Sequence, residues 1–321
     1  MEPGMHTPRD IPLRALDALP FAARARRRIA GSVLGLVSGS GAPPIDYLHP
    51  EGDPGLFGPD AVCWRVHADF TSMMVGGIGA LLLQMLHPLA LAGVVDHSNF
   101  RDDLLGRLRR TASFVAGTTY GSRQTAEMLL ARVRKVHRTV TGTAPDGRPY
   151  AAEDPALLTW VHVAEVSSFL RGYLAYVDDR LPDADQDRYY DETARVAEAL
   201  GAREVPRSRA AVDAYLGSMR PVLAVSERTR EVARILIEAP APHPAMQPFS
   251  RMFMLAGIDI LPRWAQELGG YEAQARLGPA ARAGVQAVAP VLRWAMRDGA
   301  ARMARRRVAA GRAAASRVDR A

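Results

Sequence analysis

Apolar residues recur along most of this chain at helical spacing, the pattern of helices that bury one face and expose the other. One stretch breaks the rhythm: residues 73–95, MMVGGIGALLLQMLHPLALAGVV, hold no Asp, Glu, Lys or Arg. A helix that is apolar all round must be buried in a large protein or in a membrane. At about 1.5 Å per residue this one would reach roughly 34 Å, enough for a bilayer. Gly76, Gly77, Gly79, Gln84, His87 and Pro88 tilt the reading toward a central protein-buried helix. Lipid asks for no bare surface, ring nitrogen or break, whereas packing against helices or a flat ligand does.

The flanking pattern predicts helix after helix. Residues 101–120 carry Leu104, Leu105, Leu108, Thr111, Ala112 and Val115 at helical spacing, and Gly121-Ser122 ends the run. In 125–140, Leu129, Val133, Val136, His137 and Val140 share one face, and Arg132, Arg134, Lys135 and Arg138 the other. Residues 141–150 read as a loop or small hairpin turning at Asp146-Gly147. Asp154-Pro155 supplies a cap and a first-turn proline for a helix running to Tyr176. Further helices are expected at 183–200, 208–219, 226–238, 246–258, 262–267 and 279–297, and strand patterns are almost absent. The class is all-α: a single large, bundle-like domain of eight to ten helices around the buried apolar one. An N-terminal helix and a Gly/Pro-rich connector fill 1–57, the helical body 58–298, and an Arg/Ala-rich tail 299–321.

Composition narrows the chemistry more than the fold. At 48% hydrophobic and 23% charged residues the chain is ordinary globular protein. Its single cysteine, Cys63, rules out disulfide frameworks and multi-cysteine metal sites, leaving His, Asp and Glu as ligands. The net charge of +7 is concentrated at the ends, in RARRR at 24–28 and in the arginines after 301. No aromatic residues interleave with them as a stacking platform needs, so nucleic acid is not the expected partner, and peripheral contact of these ends with an anionic membrane is. Arg27-Arg28 before an apolar stretch has the shape of a twin-arginine export signal. Gly31, Ser32 and Gly35 interrupt that stretch, however, which favours a helix lying on the body and a cytoplasmic location.

Four histidines fall in the core region, and for each a hydrogen-bonded core ring is the bland reading. His87 precedes Pro88 inside the apolar run, His97 sits at its end where a cation suits the helix dipole, and His162 can pair with Glu165 three residues on. His137 stands out, because a ring nitrogen within a Leu/Val stripe needs a partner, and a metal or cofactor iron suits it better than the other three. A di-iron carboxylate bundle needs Glu-x-x-His pairs on two helices, and only the reversed His162-x-x-Glu165 is present. No G-x-S-x-G, H-E-x-x-H or phosphate loop after a strand occurs.

Several blocks together resemble one family: GPDAVCWRVHAD (58–69), VGGIGALLLQMLHPLALAGVVDHSNF (75–100), GRLRRTASFV with the later TYG (106–121), and VRKVHRTVTG with DGRPYAAEDPALLTWVH (133–162), with LPRW more faintly near Leu261. The sequence resembles the DUF2236 family, which includes the rubber oxygenases (latex clearing proteins) and the mycophenolic acid pathway oxygenase. The resemblance implies an all-helical protein holding haem b and acting as an oxygenase. It implies that the histidine of the VR-x-x-H block, His137, is the axial iron ligand, and that Arg107 and Thr111 lie near the haem. The residue before that threonine, a lysine in the rubber oxygenase pattern, is Arg110 here. On this reading Met73, Met74, Leu82 and Met85 wall an alkene or isoprenoid-like small molecule beside dioxygen, and Gly76, Gly77 or Gly79 lets the macrocycle approach the backbone. The reaction would be oxygen insertion or cleavage of a carbon-carbon double bond. The opposing expectation is a non-catalytic haem or lipid carrier, with His97 or His87 as a second axial ligand. Without a clear export signal, a bulky extracellular polymer is not the expected substrate.

Overall fold

The computed structural model describes residues 22–37, 45–98, 103–241 and 244–318. Residues 1–21 of the expected N-terminal segment and the start of the Gly/Pro-rich connector at 38–44 lie outside them. The described residues are 72% helical, with fifteen helices and one two-stranded sheet among them, so the all-α expectation holds. In order these are α1 (Ala22–Val37), α2 (Val62–Val66), α3 (Phe70–Gln84), α4 (Pro88–His97), α5 (Leu104–Tyr120), α6 (Arg123–His137), β1 (Thr141–Thr143), β2 (Pro149–Ala151), α7 (Pro155–Tyr176), α8 (Asp183–Leu200), α9 (Arg209–Met219), α10 (Glu227–Glu238), α11 (Gln247–Asp259), α12 (Arg263–Gly269), α13 (Glu272–Ala275), α14 (Gly278–Met296) and α15 (Ala300–Val318). The strands pair antiparallel, Gly142 opposite Tyr150, as the hairpin reading of 141–150 expects.

The apolar run is not one helix. It breaks after Gln84 and resumes at Pro88 with a bend of 105°. Pro88 has no N–H and starts a helix more readily than it continues one, and the His87 ring caps the new start by accepting from the Ala90 amide at 3.4 Å. Among the described residues no single helix is long and apolar enough to cross a membrane, although the bent α3–α4 pair passes by length and composition together.

The deepest helix is α7, with fifteen of its twenty-two residues buried. It packs along α3 as the closest seam of the fold, and glycine makes that seam close. A Cβ at Gly76 would stand 2.9 Å from Phe169 Cα, and one at Gly172 would stand 2.7 Å from the Ser72 carbonyl. On another side of α3, Gly79 and Gly257 allow a similar approach to α11. Asp69 caps α3 through the Ser72 amide at 2.8 Å and pairs with Arg293 of α14 at 2.5 Å, and Arg293 also donates to the Tyr176 carbonyl of α7 at 2.8 Å, tying three helices at one point.

The basic C-terminal segment is built into the body rather than trailing from it. Along α15, Ala304, Arg307 and Val308 are buried, Arg307 to 1% exposure. The Arg307 guanidinium donates to three carbonyls: Asp53 at 2.8 Å, Tyr47 at 3.1 Å and Gly121 at 3.2 Å. Its own carbonyl accepts from the Gly52 amide at 2.8 Å. One residue thus clamps the connector, the last helix and the turn between α5 and α6.

Candidate functional site

Helices α5 and α6 form an antiparallel hairpin that is closed at one end and loose at the other. At the turn, residues 117–122 are buried, a Cβ at Gly117 would collide with the Leu129 side chain, and Ser122 caps α6 through the Thr125 amide at 3.2 Å. Away from the turn burial falls off on both helices, so that residues 106–109 and 112–116 of α5 are only half-buried. The buried stripe of α6 is Ala126 and Leu130, continued by half-buried Val133 and His137. Val136, expected on that stripe, is 54% exposed instead.

His137 ends α6, at the loose end of the hairpin. Its Nδ1 is buried without a hydrogen-bond partner. Burial pulls its pKa down against the nearby Glu153 carboxylate, which also pairs with Arg138 at 3.7 Å. The ring is therefore neutral at ordinary pH, the form in which imidazole ligates metals. Among the described residues no three His, Cys, Asp or Glu side chains gather to hold a metal ion. A porphyrin iron asks the chain for one axial imidazole rather than three ligands, and a buried ring nitrogen with nothing to bond fits that demand.

An apolar groove runs between α3, α4, α5, α7 and α10, lined by Leu81, Gln84, Met85, Leu91, Val94, Arg107, Leu108, Val161, Val232 and Leu236 among others. Its enclosed volume is about 100 Å³, below the roughly 300–1,000 Å³ of typical ligand pockets. Its α5 wall is half-buried, the kind of wall that moves aside most easily. Gln84 is fixed there from both ends: its side chain donates to the Val161 carbonyl at 3.0 Å, and its carbonyl accepts from Trp160 Nε1 at 3.2 Å. Arg107 enters the groove from α5 and donates to Ser98 Oγ at 2.7 Å, which in turn donates to the Val94 carbonyl at 2.6 Å. Burial, helped by Arg110, lowers its pKa from the usual arginine value. Thr111 lies one turn on, on the same helical face as Arg107 and Leu108, and is exposed. Arg110 turns to solvent and pairs with Asp103 at 3.2 Å.

The remaining expected residues scatter. His97 ends α4 and shares an Nε2 hydrogen bond with the Thr141 carbonyl at 2.9 Å, so it ties α4 to β1 outside the groove lining. Gly77 has open space beside it, since a Cβ there would stand 4.0 Å from Phe169 Cε1, whereas Gly76 and Gly79 are taken up by helix contacts. Of the four apolar wall candidates only Met85 lines the groove. Leu82 is fully buried in the core, Met74 packs with the α11–α14 cluster and Met73 is half-buried elsewhere. The expected His162–Glu165 pair does not form, since His162 Nε2 is buried with no partner and burial holds its pKa near 4.

Two interior groups carry chemistry not expected of them from the sequence: His67, which no pattern singles out, and Glu165, which its spacing presents only as a partner for His162. His67, just past α2, bonds Thr119 Oγ1 at 3.0 Å and Tyr189 OH at 2.9 Å, and burial drives its pKa to about 3. Glu165, one turn along α7 from groove-lining Val161, is enclosed by protein yet keeps accessible surface, and burial raises its carboxyl to about 7. The i, i+4 relation to Val161 is a signal for Glu165. For His67 the only signal is the WRVHAD block itself.

The family described as "ER-bound oxygenase mpaB/B'/Rubber oxygenase, catalytic domain" matches residues 64–313, from α2 well into α15. The uncharacterized proteins Mb2261 of Mycobacterium bovis and Rv2237 of Mycobacterium tuberculosis are each 28% identical over 151 residues, covering 45% of this chain and 59% of the relative. The chain thus spans about six-tenths of the length of these curated relatives. No solved structure matches it.

Proposed function

Starting from a chain that belongs to the family of ER-bound mpaB-type and rubber oxygenases, we propose that it is a haem b-dependent oxygenase. Its substrate is an apolar small molecule, isoprenoid or alkene-containing, and dioxygen is the co-substrate. The observation that carries this reading is the half-buried, neutral imidazole of His137, whose buried Nδ1 has no hydrogen-bond partner.

His137 would hold the haem iron through its imidazole, and Arg107 and Thr111, one turn apart on α5, would lie near the bound group. Bound haem supplies dioxygen chemistry, either oxygen insertion or cleavage of a carbon-carbon double bond. The chain supplies orientation and dryness. Leu81, Met85, Leu91, Val94 and Leu108 offer an apolar molecule a surface that excludes water. Arg107 is the positive charge in that wall, placed to pair with a carboxylate of the cofactor or to steady negative charge beside it. Glu165, one turn along α7 from groove-lining Val161 and with its carboxyl raised by burial to about 7, can hold or release a proton near neutral pH.

The carrier reading needs a second axial histidine. His97 lies outside the groove lining, tied to β1 through the Thr141 carbonyl, and His87 spends the lone pair of Nδ1 on the α4 cap, which favours the catalytic reading. A pyridine haemochrome assay on protein expressed with haem supply tests the proposal. Stoichiometric haem b is expected, lost in His137→Ala and kept in His162→Ala, with a ferrous form that binds carbon monoxide. Colourless protein, or equal loss in both variants, overturns it.

A further inference from the structure

We propose that the outward face of α6 docks on an anionic lipid membrane. On that face Met128, Arg132 and Val136 follow one another at intervals of four, with Lys135 beside them. Met128 is 61% and Val136 54% exposed. The helix carries four cations and one acid, Glu127, which faces Arg123 at 4.0 Å. Arg132, Arg134 and Lys135 have no ion pair among the described residues, whereas Arg123 at the start of the helix and Arg138 just past its end do.

Cations in the last turn of a helix suit its dipole, but Arg132 lies before that turn, and the dipole does not explain two large apolar side chains in water beside it. Anionic headgroups satisfy both at once: they take the cations, and the interface takes Met128 and Val136. A nucleic acid would take the charges and leave the apolar side chains wet. A protein interface of ordinary kind is anchored by aromatic side chains, and α6 has none. Part of the arginine-rich ends expected to meet a membrane is engaged within the fold. Arg307 is buried in its three carbonyls, Arg302 and Arg26 pair with Asp298, and Arg305 lies over Trp64. The α6 face is a membrane surface additional to those ends. It stands on exposure and charge alone and holds whether or not His137 binds iron.

The full chain is mixed with vesicles of phosphatidylcholine alone, or of phosphatidylcholine with phosphatidylglycerol, and floated on a sucrose gradient. It is expected to float with the phosphatidylglycerol vesicles and not with phosphatidylcholine. Combined Arg132→Gln, Arg134→Gln and Lys135→Gln should lower the partition by roughly a hundredfold, from about fivefold per cation near an anionic surface. Met128→Ser with Val136→Ser should lower it as well, with far-ultraviolet dichroism and melting midpoint unchanged in both variants. The proposal is overturned by no flotation of the parent, by an unaffected triple variant, by serine changes without effect, or by loss of binding on neutralising Arg24, Arg27 and Arg28 while α6 is intact. Equal affinity of the parent for a DNA duplex also overturns it, since that marks a general polyanion site.

Discussion

The α3–α7 seam and the α5–α6 hairpin are both helix pairs within one domain, and they are packed on opposite principles. Along the seam, Gly76 and Gly172 bring two backbones so close that no methyl group fits between them. Along the hairpin, burial is complete only at the Gly121 turn and fades toward His137 and Arg107. The seam is closed by backbone lying on backbone. The hairpin presents an apolar wall, a buried ring nitrogen without a partner and a half-buried guanidinium, and on the proposed reading a bound group would satisfy that nitrogen, since a buried polar atom left unpaired costs free energy.

The comparison is broken most severely at the turn that holds the hairpin. Arg307→Ala orphans three carbonyls at once, each worth about 1–3 kcal/mol when left buried and unsatisfied. A loss above about 3 kcal/mol is expected in urea unfolding, with Arg307→Lys recovering only part of it because one ammonium cannot reproduce the guanidinium fork.

The next effect depends on pH. Glu165 is raised to about 7 in the fold from an ordinary 4.5. The folded state thus binds a proton that the unfolded chain has released. This contribution is fully present below pH 4.5 and is lost as pH rises through 7, a change on the order of 3 kcal/mol. Glu165→Gln should remove that part of the pH dependence, and its stability should exceed that of the parent above pH 7. A variant that follows the parent at every pH would place the carboxyl in water.

Smallest, and most direct as a comparison of neighbours, is the glycine pair. Gly76→Ala drives a methyl against the Phe169 backbone and should cost about 1–3 kcal/mol. Gly77→Ala meets open space, and in a helix the exchange should be neutral or slightly stabilising. Equal losses in thermal unfolding would mean that the seam is not where the packing limit lies.

What could be read in advance was local. The start of α7 is written in Asp154-Pro155 and the start of α8 in its sequence pattern, and both stand where expected. The 73–95 run misled because its composition is uniform while its geometry turns on Pro88 alone. The Ala/Arg composition of α15 reads as a solvated tail, since a partner for Arg307 comes from carbonyls more than 180 positions away in the chain. The site shows the same division. His137 is visible as a misplaced ring on a stripe, and Arg107 and Thr111 through family resemblance. The groove walls come from five helices, and the His67–Tyr189 contact spans 122 positions; neither has a local signature.

The Arg307 clamp also orders events during synthesis. The turn of the hairpin leaves the ribosome well before the guanidinium that fixes its Gly121 carbonyl, which is encoded 186 positions further on. A nascent chain therefore carries an unfastened hairpin while those positions are being made, and on the proposed reading that interval is when a flat, greasy guest would be loaded.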